Sequence, residues 1–126
     1  MVYMAVEEAT SGNWDELVSS SKLPVVVMFY SLTCPHCTVM KPHFDKYAAE
    51  YSGKVKFLRI NVSENIATAR DYGVMSTPTF KFFCHGRPIE ELVGASYPPL
   101  VKKMIGDMLS YGAGCAEKST RIPGYS

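Results

Sequence analysis

Val25-Val-Val-Met-Phe-Tyr30-Ser-Leu-Thr-Cys34-Pro-His-Cys37 is the stretch on which the fold turns. Pro24 introduces an unbroken β-branched and apolar run from Val25 to Tyr30, which suits a strand buried on both faces, in the middle of a sheet covered by helices. Two cysteines two residues apart follow it. Helical spacing then sets in at Met40, Phe44, Tyr47, Ala48 and Tyr51, and Gly53 closes the helix. Pro42 lies inside it, removes one backbone donor and is expected to kink it.

Toward the N-terminus, Val2 to Val6 predicts a short strand. Asn13-Trp14-Asp15-Glu16 has the form of a helix start, with Asn13 as N-cap and Glu16 three residues on. Trp14, Leu17 and Val18 supply its apolar face. On the other side, Val55 to Val62 predicts a second inner strand, interrupted on one face by Arg59. Ser63 is the expected cap of a short helix ending at Tyr72-Gly73. Thr79 to Cys84 and Ile89 to Val93 predict a hairpin around His85-Gly86-Arg87-Pro88. Ser96 caps a last helix with Pro98 and Pro99 in its first turn, and Leu100, Val101, Met104, Ile105, Met108 and Leu109 form its stripe.

The order β-α-β-α-β-α-β-β-α predicts an α/β fold, a central mixed β-sheet flanked by α-helices on both faces. Residues 1–112 form the expected domain. Residues 113–126 lack periodicity and are expected to be a flexible C-terminal tail. A chain of 126 residues, 47% of them hydrophobic, can bury an ordinary core without staples.

Formal net charge is +1, so no global field points to nucleic acid. No apolar run is long enough to span a bilayer. The N-terminus, Met1-Val-Tyr-Met-Ala-Val-Glu-Glu8, lacks the basic-then-apolar pattern of a secretory signal, so a cytoplasmic protein is expected. Cysteines at Cys34, Cys37, Cys84 and Cys115 are too few and too scattered for a disulfide framework. Cys84 reads as a small strand-end hydrophobe and Cys115 as a tail thiol.

A dithiol that cycles through an internal disulfide needs a short loop and one sulfur able to attack a substrate. Two intervening residues at a helix N-terminus meet both demands. Cys34 falls at the strand-to-helix junction, Pro35 preorganises the first turn, and Cys37 lies one turn in, beneath Cys34. First-turn amides and the helix dipole favour a thiolate at Cys34, and His36 adds positive charge when protonated. Cys34 is therefore the expected nucleophile and Cys37 the resolving thiol. The competing reading, half of a zinc site, needs four ligands, and no second Cys-x-x-Cys or His-x-x-x-His follows. No metal and no other cofactor are expected.

With Cys34-x-x-Cys37, Pro42, Tyr72-Gly73, Thr77-Pro78-Thr79, Gly86 and Gly94 in place, the sequence from about Val6 to Ser110 resembles the thioredoxin superfamily. The resemblance implies the thioredoxin fold and a cis proline at Pro78, facing the dithiol. The backbone of Thr77 would then pair with an extended substrate peptide. Thr77, Pro78 and Thr33 are the substrate-binding positions it implies, although thioredoxins usually have Trp where Thr33 stands. The dipeptide Pro35-His36 is that of bacterial periplasmic disulfide oxidases, and Thr before the cis proline is more like protein disulfide isomerase. Met28 occupies the position of the family's buried Asp. Arg59 matches that Asp's Lys partner and, without its counter-ion, is expected to lean toward Cys37 and support its thiolate.

The resemblance implies a protein-disulfide reductase of thioredoxin type. Its expected partners are disulfide-containing proteins, with a reductase or glutathione as electron donor, and it is expected to act as a monomer. Two alternatives stay open: a disulfide oxidant or isomerase, and a non-catalytic binding module with a redox-switch pair.

Overall fold

The structure, a computed structural model, describes residues 6–94 and 98–110. Five strands, β1 (Val6–Ala9), β2 (Val25–Tyr30), β3 (Lys56–Asn61), β4 (Thr79–Cys84) and β5 (Arg87–Val93), form one sheet in the order β1-β3-β2-β4-β5. β1, β3 and β2 run parallel, while β4 and β5 are antiparallel to their neighbours. The helices are α1 (Pro35–Glu50), α2 (Ile66–Asp71) and α3 (Pro98–Ser110). The expected mixed sheet with helical cover on both faces is the one observed.

The strand at the centre explains why the run Val25–Tyr30 has no polar alternation. Val26 and Met28 point to one face, where they pack with Met40, Phe44 and Tyr47 of α1 and with Val101, Ile105 and Met108 of α3. Val25, Val27 and Phe29 point to the other, against Trp14, Val18 and Ala69. Each such side chain, fully buried, contributes about 1.5–3 kcal/mol. α1 runs unbroken through Pro42.

Several expectations are corrected. The segment after Asn13 is one wide π-type turn, Asp15–Ser19, in which the Ser20 N–H donates to the Asp15 carbonyl at 2.9 Å. Asn13 does not cap it: its Oδ1 accepts the Thr10 N–H at 2.7 Å, so the side chain fastens the preceding loop instead. Trp14 is packed as expected, against Phe29, Tyr72 and Phe83, with its Nε1 donating to the Tyr72 hydroxyl. Ser63 does not cap α2 either. That helix begins two residues beyond Glu64, and the Ser63 N–H donates to Asn61 Oδ1. Leu100 is on the exposed side of α3, whose buried stripe is Val101, Ile105 and Met108.

The β4–β5 hairpin closes more tightly than expected. His85 (φ 52°) and Gly86 (φ 81°) are both left-handed and make the two-residue turn whose twist suits a hairpin. A Cβ on Gly86 would lie 3.0 Å from the Ser19 Cα. Arg87 and Pro88 belong to β5, where a proline is tolerated because the strand is at the edge. Cys84, at the end of β4, is buried but is disulfide-bonded rather than a plain hydrophobe. The expectations for residues 2–5, Ser96, Cys115 and the tail lie outside the described residues.

Candidate active site

β2 delivers the chain to the site and α1 begins there. In between, Ser31 holds the loop: its carbonyl accepts the Cys34 N–H at 3.3 Å and its Oγ accepts the Thr33 N–H at 3.2 Å. Cys34 is the N-cap of α1, with extended backbone (φ −100°, ψ 107°), and Pro35 occupies the first turn. Pro at that position sacrifices an N–H that would have no helical acceptor.

Cys34 and Cys37 are joined in a disulfide, with their Cα atoms 5.2 Å apart. The Cys37 N–H donates to Cys34 Sγ at 3.1 Å. A first-turn amide thus takes a sulfur as its acceptor, where side-chain oxygens usually serve. The same N–H and the positive end of α1 both lie at this sulfur. Both cysteines are buried, Cys34 at 9% and Cys37 at 4% exposure. Between them Pro35 and His36 are exposed, as is Thr33.

The Thr77–Pro78 bond is cis. Phe29 on β2 pairs with Thr79 on β4, so Pro78 precedes β4 at the end of the sheet from which the Cys34 loop departs. The Pro78 carbonyl accepts the Gly94 N–H at 2.8 Å, and the Thr79 hydroxyl donates to the Ser76 carbonyl. Sequence-distant Thr77 and Pro78 are therefore brought to the dithiol's end of the sheet.

On the inner side of the pair lies a cavity of about 220 Å³, lined by Met28, Tyr30, Ser31, Leu32, Cys37, Thr38, Lys41 and Arg59. Met28 is 2% exposed and brings no charge to it. Arg59 does reach this cavity, but the expectation that it lacks a counter-ion is corrected. Its Nε lies 2.7 Å from Glu8 Oε1, and its guanidinium stands over the Tyr30 ring at 5.7 Å. The Tyr30 hydroxyl donates to the other carboxylate oxygen, Glu8 Oε2, at 2.8 Å. Burial and this hydrogen bond to Glu8 push the Tyr30 phenol up to about 12. Lys41 pairs with Asp45 one turn along α1.

Glu8 and Tyr30 were not legible as site residues. Glu8 meets Arg59 only through the β1–β3 register, Glu8 opposite Arg59, and Arg59 is in turn opposite Met28 on β2. The available signal was a polar Tyr closing an otherwise apolar strand. Among the described residues, no cluster of three or more His, Cys, Asp or Glu could hold a metal. None of the described helices is long and apolar enough to cross a membrane.

A disulfide pair at the N-terminus of a helix that follows a central strand, at the same end of the sheet as a cis proline, defines a redox-active α/β protein of thioredoxin-like build. The Thioredoxin family model matches residues 5–106, and the chain belongs to that family. It is 39% identical over 90 residues to the M-type chloroplastic thioredoxin of Pisum sativum, covering 71% of this chain and 52% of that protein. It is 36% identical over 91 residues to a thioredoxin of Synechocystis sp., covering 72% and 85%. The chain spans about half the length of the pea, rice and spinach chloroplastic relatives, 52%, 51% and 50%. Among solved structures, the thioredoxin of Malassezia sympodialis superposes with a TM-score of 0.76 at 26% identity, over 82% of this chain and 90% of that one.

Proposed function

We infer that this chain is a thiol–disulfide oxidoreductase that reduces disulfide-containing proteins through Cys34 and Cys37. The observation that carries this reading is the disulfide at the start of α1, with a backbone amide donating to Cys34 Sγ. The Cys34 thiolate attacks one sulfur of a substrate disulfide and releases the other as a thiolate. Cys37, deprotonated, then attacks Cys34 Sγ of the mixed disulfide. The second substrate thiolate leaves, and the Cys34–Cys37 disulfide forms. Two electrons have passed to the substrate, and a reductase or glutathione returns them. Pro35 orders the turn, and His36 stabilises the Cys34 thiolate when protonated. Thr33, Thr77 and Pro78 border the substrate, and Arg59 supports the Cys37 thiolate from the inner side.

The chain acts as a monomer, its domain ends at residue 112, and it works in the cytoplasm. That last assignment is tested by localising the tagged chain, since the pea, rice and spinach relatives carry chloroplastic names. A second reading, a disulfide oxidant or isomerase, is favoured by exposed His36 beside Cys34. The Cys34–Cys37 potential separates the two. We expect roughly −250 to −180 mV, between a reductase of this fold at about −270 mV and more oxidising couples.

Turnover with a protein disulfide tests the assignment. Cys34→Ser is expected to abolish it, and Cys37→Ser to trap a mixed disulfide through Cys34. An active Cys34→Ser protein, or trapping through Cys84 or Cys115, would place the site elsewhere. Binding to disulfide proteins without turnover would leave only a redox-switch module.

A further inference from the structure

Cys37 must lose a proton before it can resolve the mixed disulfide, so the field on its inner side decides how readily it does so. The groups facing that side come from four elements. β3 supplies Arg59, β2 supplies Tyr30, β1 supplies Glu8 through its contacts with both, and α1 supplies Lys41. Lys41 carries Asp45 as its own counter-ion, and His36 is exposed and does not line the cavity. The negative charge of Glu64 is also felt at Tyr30.

Two features make the Arg59–Glu8 pair directional. Arg59 is among the residues lining the cavity with Cys37, whereas Glu8 is not. Glu8 is also fixed from two sides, one carboxylate oxygen on Arg59 Nε and the other on the Tyr30 hydroxyl. The positive member of the pair therefore shares the cavity with the resolving thiol, and the negative member stands one strand behind it. Arg59 is 28% and Glu8 42% exposed at the side chain, so solvent weakens both charges without erasing either.

We propose that Glu8 is a positioning residue for resolution: it holds Arg59 against the cavity and attenuates the positive field that Arg59 exerts on Cys37. This rests on Cys37 being the resolving thiol. Its consequence is a pair of effects with opposite sign. Removing the Glu8 charge leaves Arg59 unopposed and favours the Cys37 thiolate. Removing the Arg59 charge leaves Glu8 unopposed and disfavours it. A purely structural bridge would give both substitutions the same sign, because either one breaks it.

A symmetric aromatic disulfide whose thiolate is coloured reports both chemical steps. The first equivalent is released on attack by Cys34, the second on resolution by Cys37. Glu8→Gln removes the charge, keeps one oxygen to accept from Arg59, and reverses the other bond, its amide N–H donating to the Tyr30 hydroxyl oxygen. It is expected to move the pH midpoint of the second release downward and speed that release about two- to fivefold at neutral pH. Arg59→Gln is expected to move the midpoint upward and slow it by a similar factor. The rate changes are smaller than the changes in thiolate fraction, since a less basic thiolate is a weaker nucleophile. Arg59→Lys, which keeps the charge, should restore the midpoint most of the way, and serves where Arg59→Gln folds poorly. Midpoints that shift in the same direction, or that do not move in either variant, overturn the proposal. Cys37→Ser separates this from failure of the underlying reading. It should release one equivalent fewer than the unmodified chain, and an unchanged yield would show that Cys37 does not resolve at all.

Discussion

The two cysteines lie one helical turn apart, yet what surrounds them differs in kind. Cys34 is held by backbone: its N–H on the Ser31 carbonyl, its Sγ on the Cys37 N–H, its carbonyl on the Thr38 N–H. Cys37 looks onto side chains: Met28, Tyr30, Lys41 and Arg59 across a cavity. Backbone donors come with any strand-to-helix turn of this geometry, so the Cys34 side of the site belongs to the fold. The inner side is set residue by residue, and there this chain has a methionine and an arginine tied to a glutamate. Nucleophilic attack is thus expected to follow the family's chemistry, while proton handling at the second sulfur is this chain's own.

The largest expected effect falls on the backbone-held side. Cys34→Ser should lower protein-disulfide reduction to the uncatalysed background, measured as turnover with a chemical reductant in excess. Cys37→Ser should instead accumulate a covalent complex, visible on non-reducing gels. A covalent complex that forms equally in both variants, or in neither, would erase the contrast between them.

The next effect tests the inner side. Met28→Asp places a proton acceptor beside Cys37 and should speed resolution at neutral pH by about tenfold or more. Burying that carboxylate, with Arg59 already engaged by Glu8, should cost about 2–4 kcal/mol, read as a lower denaturant midpoint. A faster step without that cost would mean that water already fills the site. No change in resolution would mean that Cys37 passes its proton directly to solvent.

A smaller effect sharpens the outer side. Exchanging Pro35-His36 for Gly-Pro removes the imidazole next to Cys34 and should make the pair more reducing by about 30 mV, tenfold in the exchange constant with glutathione. An unchanged potential would show that the backbone donors alone set it.

The extent to which sequence revealed this site follows the same division. Val25–Tyr30 and the Met40, Phe44, Tyr47 spacing were readable because strand burial and helix periodicity are local signals, and both cysteines fall at the junction they define. Failures occurred where a polar side chain had several possible partners. Asn13 and Ser63 both looked like caps, but Asn13 fastens the loop behind it, and the Ser63 N–H bonds to Asn61 while α2 starts later. Arg59 appeared to have lost its counter-ion because Glu8 is 51 residues away and meets it only when β1 pairs with β3. Local patterns carry no record of such register.

The smallest effect concerns the same network. Tyr30 has its phenol pushed up to about 12 by burial and by Glu8. The folded state therefore keeps that proton above the ordinary value of 10.0. Stability from this group is fully present below pH 10, and is lost as pH rises toward 12. Tyr30→Phe should flatten that part of the stability profile, and its tyrosinate absorbance should be missing from the latest step of an alkaline titration.

The difference between the two thiols is tested most directly by alkylating the reduced chain at a series of pH values and locating the label by peptide mass spectrometry. Cys34 is expected to react first, at the lowest pH and fastest, with Cys37 following only as the pH is raised well beyond that point. Labelling that begins at Cys37, or that rises at both cysteines together, would contradict it.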